Sequence, residues 1–137
     1  MLTISAKGVY GLTAMVELAS IADKKPVQIK DISNQYSIPQ HYLEQIMILL
    51  KKAGLIKSFR GAQGGYSLSG RPEKIKVIDI LSILEGSLQL ANQGKKESGI
   101  SFFWDETEQK IHELLSLDLK SLVDKKMQNS NQIMYYI

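Results

Sequence analysis

No cysteine occurs in the 137 residues. Its absence excludes disulfides, thiol redox sensing, thiolate zinc sites and cysteine-ligated iron–sulfur clusters. Only two histidines are present, His41 and His112, so a histidine-rich metal site is not expected. No apolar run approaches the roughly 18 residues of a membrane-spanning helix. The start, Met1–Lys7, lacks the basic, apolar and small-residue order of a signal peptide. The chain is therefore expected in the cytoplasm, away from membranes. Catalytic patterns are missing as well. No serine, histidine or aspartate stands in a nucleophile elbow, a phosphate loop or a metal-ligand spacing. Gly61–Gly65 is glycine-rich, but it lies between predicted strands and lacks the lysine and helix of a phosphate loop. The expectation is a protein that is not an enzyme, with no metal and no cofactor.

What is present is a split in charge. Residues 1–74 carry ten basic and five acidic side chains, a difference of +5. Residues 75–137 carry seven basic and nine acidic ones, a difference of −2. The sum is the net charge of +3. A basic first half suits a polyanion-binding domain, and the weakly acidic remainder suits a solvated interaction segment. By length the chain is one domain with an appended oligomerisation arm.

Hydrophobic periodicity predicts mostly helix. Lys7–Ala22 is a helix with apolar residues almost all round it, from Val9 and Leu12 to Leu18 and Ile21, the pattern of a buried central helix. Gly8 and Gly11 near its start either allow close approach of another backbone or mark only a weak first turn. A short helix over Lys30–Tyr36 buries Ile32. Ser37 suits the N-cap of the next helix and Pro39 its first position. That third helix runs to about Lys52 with Leu43, Ile46, Met47 and Leu50 inward, and Gly54 closes it. Two strands, Ile56–Phe59 and Tyr66–Ser69, flank a glycine-rich tip. A helix over Val77–Glu85 stops at Gly86. Residues 87–99 form a polar loop, and a long amphipathic helix then runs from Phe102 to about Ser116. Trp104, Ile111 and Leu114 form its apolar stripe, with His112 on its solvated side. Leu119, Leu122 and Val123 make a last short apolar turn before a polar tail, and Tyr135 and Tyr136 either pack on a partner or fray.

The stretch Gln45–Pro72 holds five basic residues (Lys51, Lys52, Lys57, Arg60 and Arg71) and no acidic one. A helix followed by a basic hairpin can place the helix in the major groove of DNA and the hairpin on the neighbouring backbone or minor groove. Gln40, His41 and Gln45 face outward at the start of that helix, where donors and acceptors meet base edges or phosphates. Lys51, Lys52 and Lys57 are candidates for phosphate contact, and Arg60 for groove insertion. Glu44 would repel phosphate. It either discriminates among bases or pairs locally with a lysine. Ordinary exposed surface is the bland alternative for each of these residues.

The order of elements looks like a winged helix, and the residues resemble the Rrf2-type transcription regulators of bacteria over nearly the whole chain. The strongest match is Tyr42-Leu43-Glu44-Gln45, then Leu50, Ala53-Gly54-Leu55, Ser58, Arg60-Gly61 and Gly64-Gly65-Tyr66, all correctly spaced. Lys7-Gly8 with Tyr10 and Ala14 fits, as do Lys76–Ile80, Trp104 and Asp118–Val123. The resemblance implies a mostly α fold with a small β wing. It implies a winged helix-turn-helix domain over 1–86, a loop over 87–100, and a dimerisation helix and tail over 101–137. It also implies a homodimer on a palindromic operator in double-stranded DNA, acting as a repressor. Within the matched motif Tyr42, Glu44, Gln45, Arg60 and Gly61 fall at the DNA. Glu44 matches a position that contacts or excludes bases, and Arg60 matches the wing arginine of the minor groove. Trp104, Ile111 and Leu114 would be buried against the other subunit. Many members hold an iron–sulfur cluster on three cysteines in the loop before the long helix. Here that loop carries Asn92, Lys95 and Glu97 instead, and the chain looks like the cluster-free members. Its effector, a protein or a small molecule, is unassigned. The alternative is a winged-helix interaction module whose main partner is another protein, such as a metabolic enzyme.

Overall fold

The computed structural model describes the backbone of residues 2–135 and the side-chain surroundings of residues 2–21 and 23–131. Six helices and one hairpin follow in order: α1 (Ala6–Ser20), α2 (Ile29–Tyr36), α3 (Gln40–Lys52), β1 (Ile56–Phe59), β2 (Gly65–Leu68), α4 (Val77–Glu85), α5 (Ser101–Leu115) and α6 (Leu119–Tyr135). Short 3-10 turns sit at Ala22–Lys24, Pro72–Lys74 and Lys96–Ser98. The expected mostly helical fold with a two-stranded wing is what forms.

One core organises these elements. Met15 and Ala14 of α1, Ile32 of α2, Leu43, Ile46, Met47 and Leu50 of α3, and Ile80 of α4 are fully buried in it. At about 25 cal/mol per Å² of apolar surface removed from water, burial of such side chains is the main stabilising term. α1 is not enclosed all round, however. Val9 is exposed and Leu12 half-buried, because among the described residues no element fully covers that side. Gly8 and Gly11 make room for side chains of α4 and not for another backbone. A Cβ at Gly8 would collide with the Glu85 carboxylate and one at Gly11 with the Leu84 side chain, both on α4. Glu85 in turn accepts the Ser5 backbone N–H at 3.0 Å and its hydroxyl at 2.6 Å, at the start of α1.

The turn between α2 and α3 is built differently from the expectation. Ser37 does not cap α3. It ends α2 in the left-handed region, with φ 54° and ψ 43°, and Pro39 is the residue that precedes α3. Ser33 closes the turn instead, its hydroxyl donating to the Ile38 carbonyl at 2.5 Å. The other end of α3 follows the glycine rule. Gly54 has φ 84°, its N–H reaches the Lys51 carbonyl at 2.9 Å, and Leu55 N–H reaches the Leu50 carbonyl at 3.1 Å. This double closure satisfies carbonyls that the helix leaves free.

The end of the chain departs most. The predicted short apolar turn and polar tail form one helix, α6. Asp118 starts it by accepting the Ser121 N–H at 2.9 Å and the Ser121 hydroxyl at 2.6 Å, bonds that hold its carboxyl below the usual aspartate value. Leu119 and Val123 then anchor α6 in the common core, against α1. Backbone pairing brackets this join, with Val77 N–H to the Leu117 carbonyl and Leu119 N–H to the Ile75 carbonyl, both at 2.8 Å. The expectation for Tyr135 and Tyr136 concerns side chains outside the described residues.

No residue of α5 is buried. Trp104, Thr107, Ile111 and Leu115 are half-buried, Leu114 is 80% exposed, and Phe102 and Phe103 are exposed. The preceding loop lies along this helix. Leu90 N–H donates to Glu108 at 2.7 Å, Lys95 pairs with Asp105, and His112 Nε2 lies 3.1 Å from the Leu88 carbonyl. A carbonyl can only accept, so that nitrogen carries the proton. His112 is thus half-buried and holds the loop, where the sequence placed it in solvent.

Candidate nucleic-acid interface

The core fixes which side of α3 is free. A helix turns about 100° per residue. With Leu43, Ile46, Met47 and Leu50 inward, the opposite pole carries His41, Gln45, Ile48 and Lys52, with Glu44 beside them. All five are exposed. Gln40, His41, Glu44 and Gln45 form a linked polar surface. Gln40 Nε2 lies 3.5 Å from Glu44 Oε1, His41 Nδ1 lies 3.9 Å from Glu44 Oε2, and Gln45 Nε2 lies 3.4 Å from His41 Nε2. The local partners of Glu44 are therefore Gln40 and His41 and not a lysine. Tyr42 is half-buried and meets Tyr10 of α1 edge-on, with ring centres 5.8 Å apart. That contact steadies the start of α3.

The wing stands next to the far end of this helix. β1 and β2 pair antiparallel in the register Ile56 with Leu68, Lys57 with Ser67, Ser58 with Tyr66 and Phe59 with Gly65. Lys51 Nζ donates to Ser58 Oγ at 2.7 Å, tying the last turn of α3 to β1. A further bridge ties the hairpin to the segment before α2. Val27 N–H donates to the Tyr66 carbonyl and Tyr66 N–H to the Val27 carbonyl, each at 2.8 Å. Gly65 is required at that crossing, because its φ is 139° and a Cβ would strike the Val27 carbonyl. At the tip Gly61 has φ 97°, and Gly64 N–H returns to the Gly61 carbonyl at 3.0 Å. Gln28 Nε2 supports the tip through the Ala62 carbonyl at 3.3 Å.

Lys57 and Arg60 are exposed on β1 and at the entrance to the tip. Among the described residues, no carboxylate lies within 4.0 Å of Lys51, Lys52, Lys57 or Arg60, whereas Arg71 is engaged by Glu73 at 3.5 Å. The structure therefore brings the predicted residues Gln40, His41, Glu44, Gln45, Lys51, Lys57, Arg60 and Gly61 to the outward side of one helix and its wing. Sequence reasoning missed Ile48, which is 60% exposed on the same pole. Projection of the whole helix, beyond its first turn, would have found it.

A second surface is apolar. A groove of about 580 Å³ runs between α1, α4, α5 and α6, lined by Val9, Leu12, Val16, Leu81, Leu115 and Leu122 among others. Leu115, at the end of α5, is that helix's part of the wall. Among the described residues no group of three His, Asp or Glu side chains is placed to hold a metal ion, and no helix is long and apolar enough to cross a membrane.

Comparison with known proteins gives this geometry a context. The Rrf2 family profile, described as an iron-dependent transcriptional regulator, matches residues 4–125. The HTH-type transcriptional regulator CymR of Bacillus subtilis is 47% identical over 85 residues, which is 62% of this chain and 62% of that protein's length. The HTH-type transcriptional regulator IscR of Aliivibrio salmonicida is 39% identical over 94 residues, 69% of this chain and 56% of that protein. Among solved structures, that of CymR, the global cysteine regulator of B. subtilis, superposes with a TM-score of 0.79 at 37% identity, over 91% of this chain and 98% of that one. The T. potens IscR structure gives 0.75 at 41% identity, over 90% and 88% of the two chains. Iron in the profile's description calls for ligands that this chain's loop does not supply. Residues 87–100 contain no cysteine and no histidine, and their one carboxylate is Glu97. An iron–sulfur cluster does not fit there.

Proposed function

This chain belongs to the Rrf2 family of DNA-binding transcriptional regulators, and from that premise we propose that it is a cytoplasmic repressor. In this reading it occupies a palindromic operator as a homodimer and does so without an iron–sulfur cluster. One observation carries the proposal: the exposed polar pole of α3 is continued by Lys51, Lys52, Lys57 and Arg60, with no carboxylate against any of the four among the described residues. Unopposed cations beside a helix of major-groove width are what a phosphate backbone attracts. Gln40, His41, Glu44 and Gln45 meet base edges in this reading. Lys51 and Lys57 meet phosphates, and Arg60 and Gly61 meet the minor groove.

The dimer is supported by α5 and the groove beside it. A 15-residue helix without a buried residue gains little from its own chain. Pairing across a two-fold axis would cover Trp104, Ile111, Leu114 and the groove, and would set two recognition helices on one face of the duplex. An effector, protein or small molecule, would dock where residues 88–99 meet the exposed Phe102 and Phe103. The same exposed phenylalanines favour the second reading, a module whose main partner is a protein.

Operator titrations at rising salt separate the two readings. Affinity governed by phosphates falls steeply between about 50 and 200 mM salt. Arg60→Ala should weaken binding by about 1–3 kcal/mol, the range for a groove-inserted arginine. Salt-insensitive binding, with Arg60→Ala unchanged, would favour the protein-docking reading. Transcription from an operator-bearing template should fall as the protein is added, and a rise would identify an activator.

A further inference from the structure

Ile48 is the one large apolar side chain on the outward pole of α3, and it is 60% exposed. Its neighbours on the helix surface are Glu44 and Gln45 one turn before it, and Lys51 and Lys52 one turn after. All four are charged or polar. The other exposed apolar residue of α3, Leu49, is 37% exposed and lies about 100° further round the helix on its flank, so at the pole itself Ile48 stands among polar side chains. A lone exposed isoleucine needs no explanation on an ordinary surface. This surface is different, because it faces base edges if α3 enters the major groove.

Isoleucine has no donor and no acceptor. Set against the N7, O6 or N4 edge of a base it would strip water from a polar atom and return no hydrogen bond, which is unfavourable. The major groove offers one apolar group to match it, the C5-methyl of thymine. Ile48 is also branched at Cβ, so it loses little rotamer freedom on being covered. Its polar neighbours can contact the adjacent base or phosphate while it covers the methyl. A protein partner fits this point less well, since an interface hot spot needs a cluster of large apolar or aromatic groups.

Resting on the reading of α3 as the recognition helix, we infer that Ile48 determines specificity by covering a thymine methyl group in the operator. The test starts from duplexes selected by the wild-type protein from a randomised pool. Each thymine of the enriched site is then replaced singly by deoxyuridine, which removes the methyl and leaves the pairing unchanged. At one position per half-site the wild-type Kd should rise by about three- to fivefold, the effect of one buried methyl. Ile48→Ala should bind the thymine duplex about as weakly as the wild type binds the deoxyuridine duplex, and should not distinguish the two. Because Ile48 is exposed, this variant should keep the wild-type circular dichroism spectrum and unfolding midpoint. Equal wild-type affinity for thymine and deoxyuridine at every position would overturn the inference and leave DNA binding by α3 intact. So would a methyl effect that persists in Ile48→Ala. Failure to enrich any sequence would remove the premise, and the inference with it.

Discussion

The Lys126 ammonium lies 2.8 Å from the Tyr36 hydroxyl and 5.0 Å from the centre of the Tyr36 ring. The same hydroxyl donates to Glu17 at 2.5 Å and accepts from Gln35 at 3.2 Å. Three helices meet at this oxygen, since Glu17 is on α1, Tyr36 ends α2 and Lys126 is on α6. Tyr36 is also the last residue before the turn that aims α3.

The contact makes a pH prediction. Burial, and then the Glu17 carboxylate, raise the Tyr36 pKa above 10.0, while Lys126 pulls it down. The folded state thus holds this proton more tightly than the unfolded chain. Its contribution is whole below about pH 10 and is lost as pH rises through the folded value. Urea midpoints should decline through that window, and less steeply in Tyr36→Phe. In Lys126→Met the tyrosinate absorbance of this residue should appear at still higher pH. Parallel declines in wild type and Tyr36→Phe would show that Tyr36 is not the group responsible.

Gly65 fixes the base of the wing. Alanine there must adopt a φ of 139° and press its Cβ on the Val27 carbonyl, within the bridge to Tyr66. Gly65→Ala should lower stability by about 1–3 kcal/mol, the cost of a strained backbone. Chemical denaturation measures it, and an unchanged midpoint would show that the crossing has room.

Among the described residues Glu44 has no lysine partner, and its neighbours Gln40 and His41 leave about half of its side chain exposed. Its value should lie in discrimination. Glu44→Ala is expected to hold or raise affinity for altered operators while narrowing the gap to the preferred one. Uniform weakening across a panel of sequences would mean that Glu44 serves α3 itself.

For assembly, Ile111→Asp with Leu114→Asp places two carboxylates on the apolar side of α5. Light scattering should then report monomers, and tight operator binding should be lost. The single-chain core should persist, because neither residue is buried in it. A fully dimeric double variant would move the interface elsewhere.

Iron chemistry should be absent. Anaerobic reconstitution with iron and sulfide should leave no cluster absorbance, and operator affinity should match under oxidising and reducing conditions. Met15 and Met47 are fully buried, which protects the thioethers of α1 and α3 from oxidants. Stoichiometric iron on residues 87–100 would contradict this, since it would require ligands other than thiolate.

Most of the fold was legible because its signals are local. The apolar spacing of Leu43, Ile46, Met47 and Leu50 defines α3, and Gly54 with Leu55 ends it. Two things escaped. Residues 124–131 are polar but for Met127, so no hydrophobic period marks them as helix. They continue α6 because Leu119 and Val123 anchor its start and Lys120 pairs with Asp124 at 2.8 Å. Ser37 was misassigned because serine suits a cap and also tolerates a tight turn, and only packing decides between them. In the interface, residue types were readable but partners were not. That Glu44 faces His41 depends on side-chain rotamers, whereas the exposure of Ile48 follows from the inward stripe once the whole helix is projected.

The pairing of Lys76 with Asp118 has a topological consequence. The chain leaves the body of the protein only after α4 and rejoins it at Asp118, beside the start of that same helix, so residues 86–118 form an excursion held at the two ends of α4. Lengthening such a loop adds only about 0.6 kcal/mol of closure entropy per doubling. The stretch over residues 87–100 can therefore be shortened, extended or given new side chains with little disturbance to the recognition helix or the wing. It is a cassette position, where side chains and length can be exchanged on one unchanged scaffold.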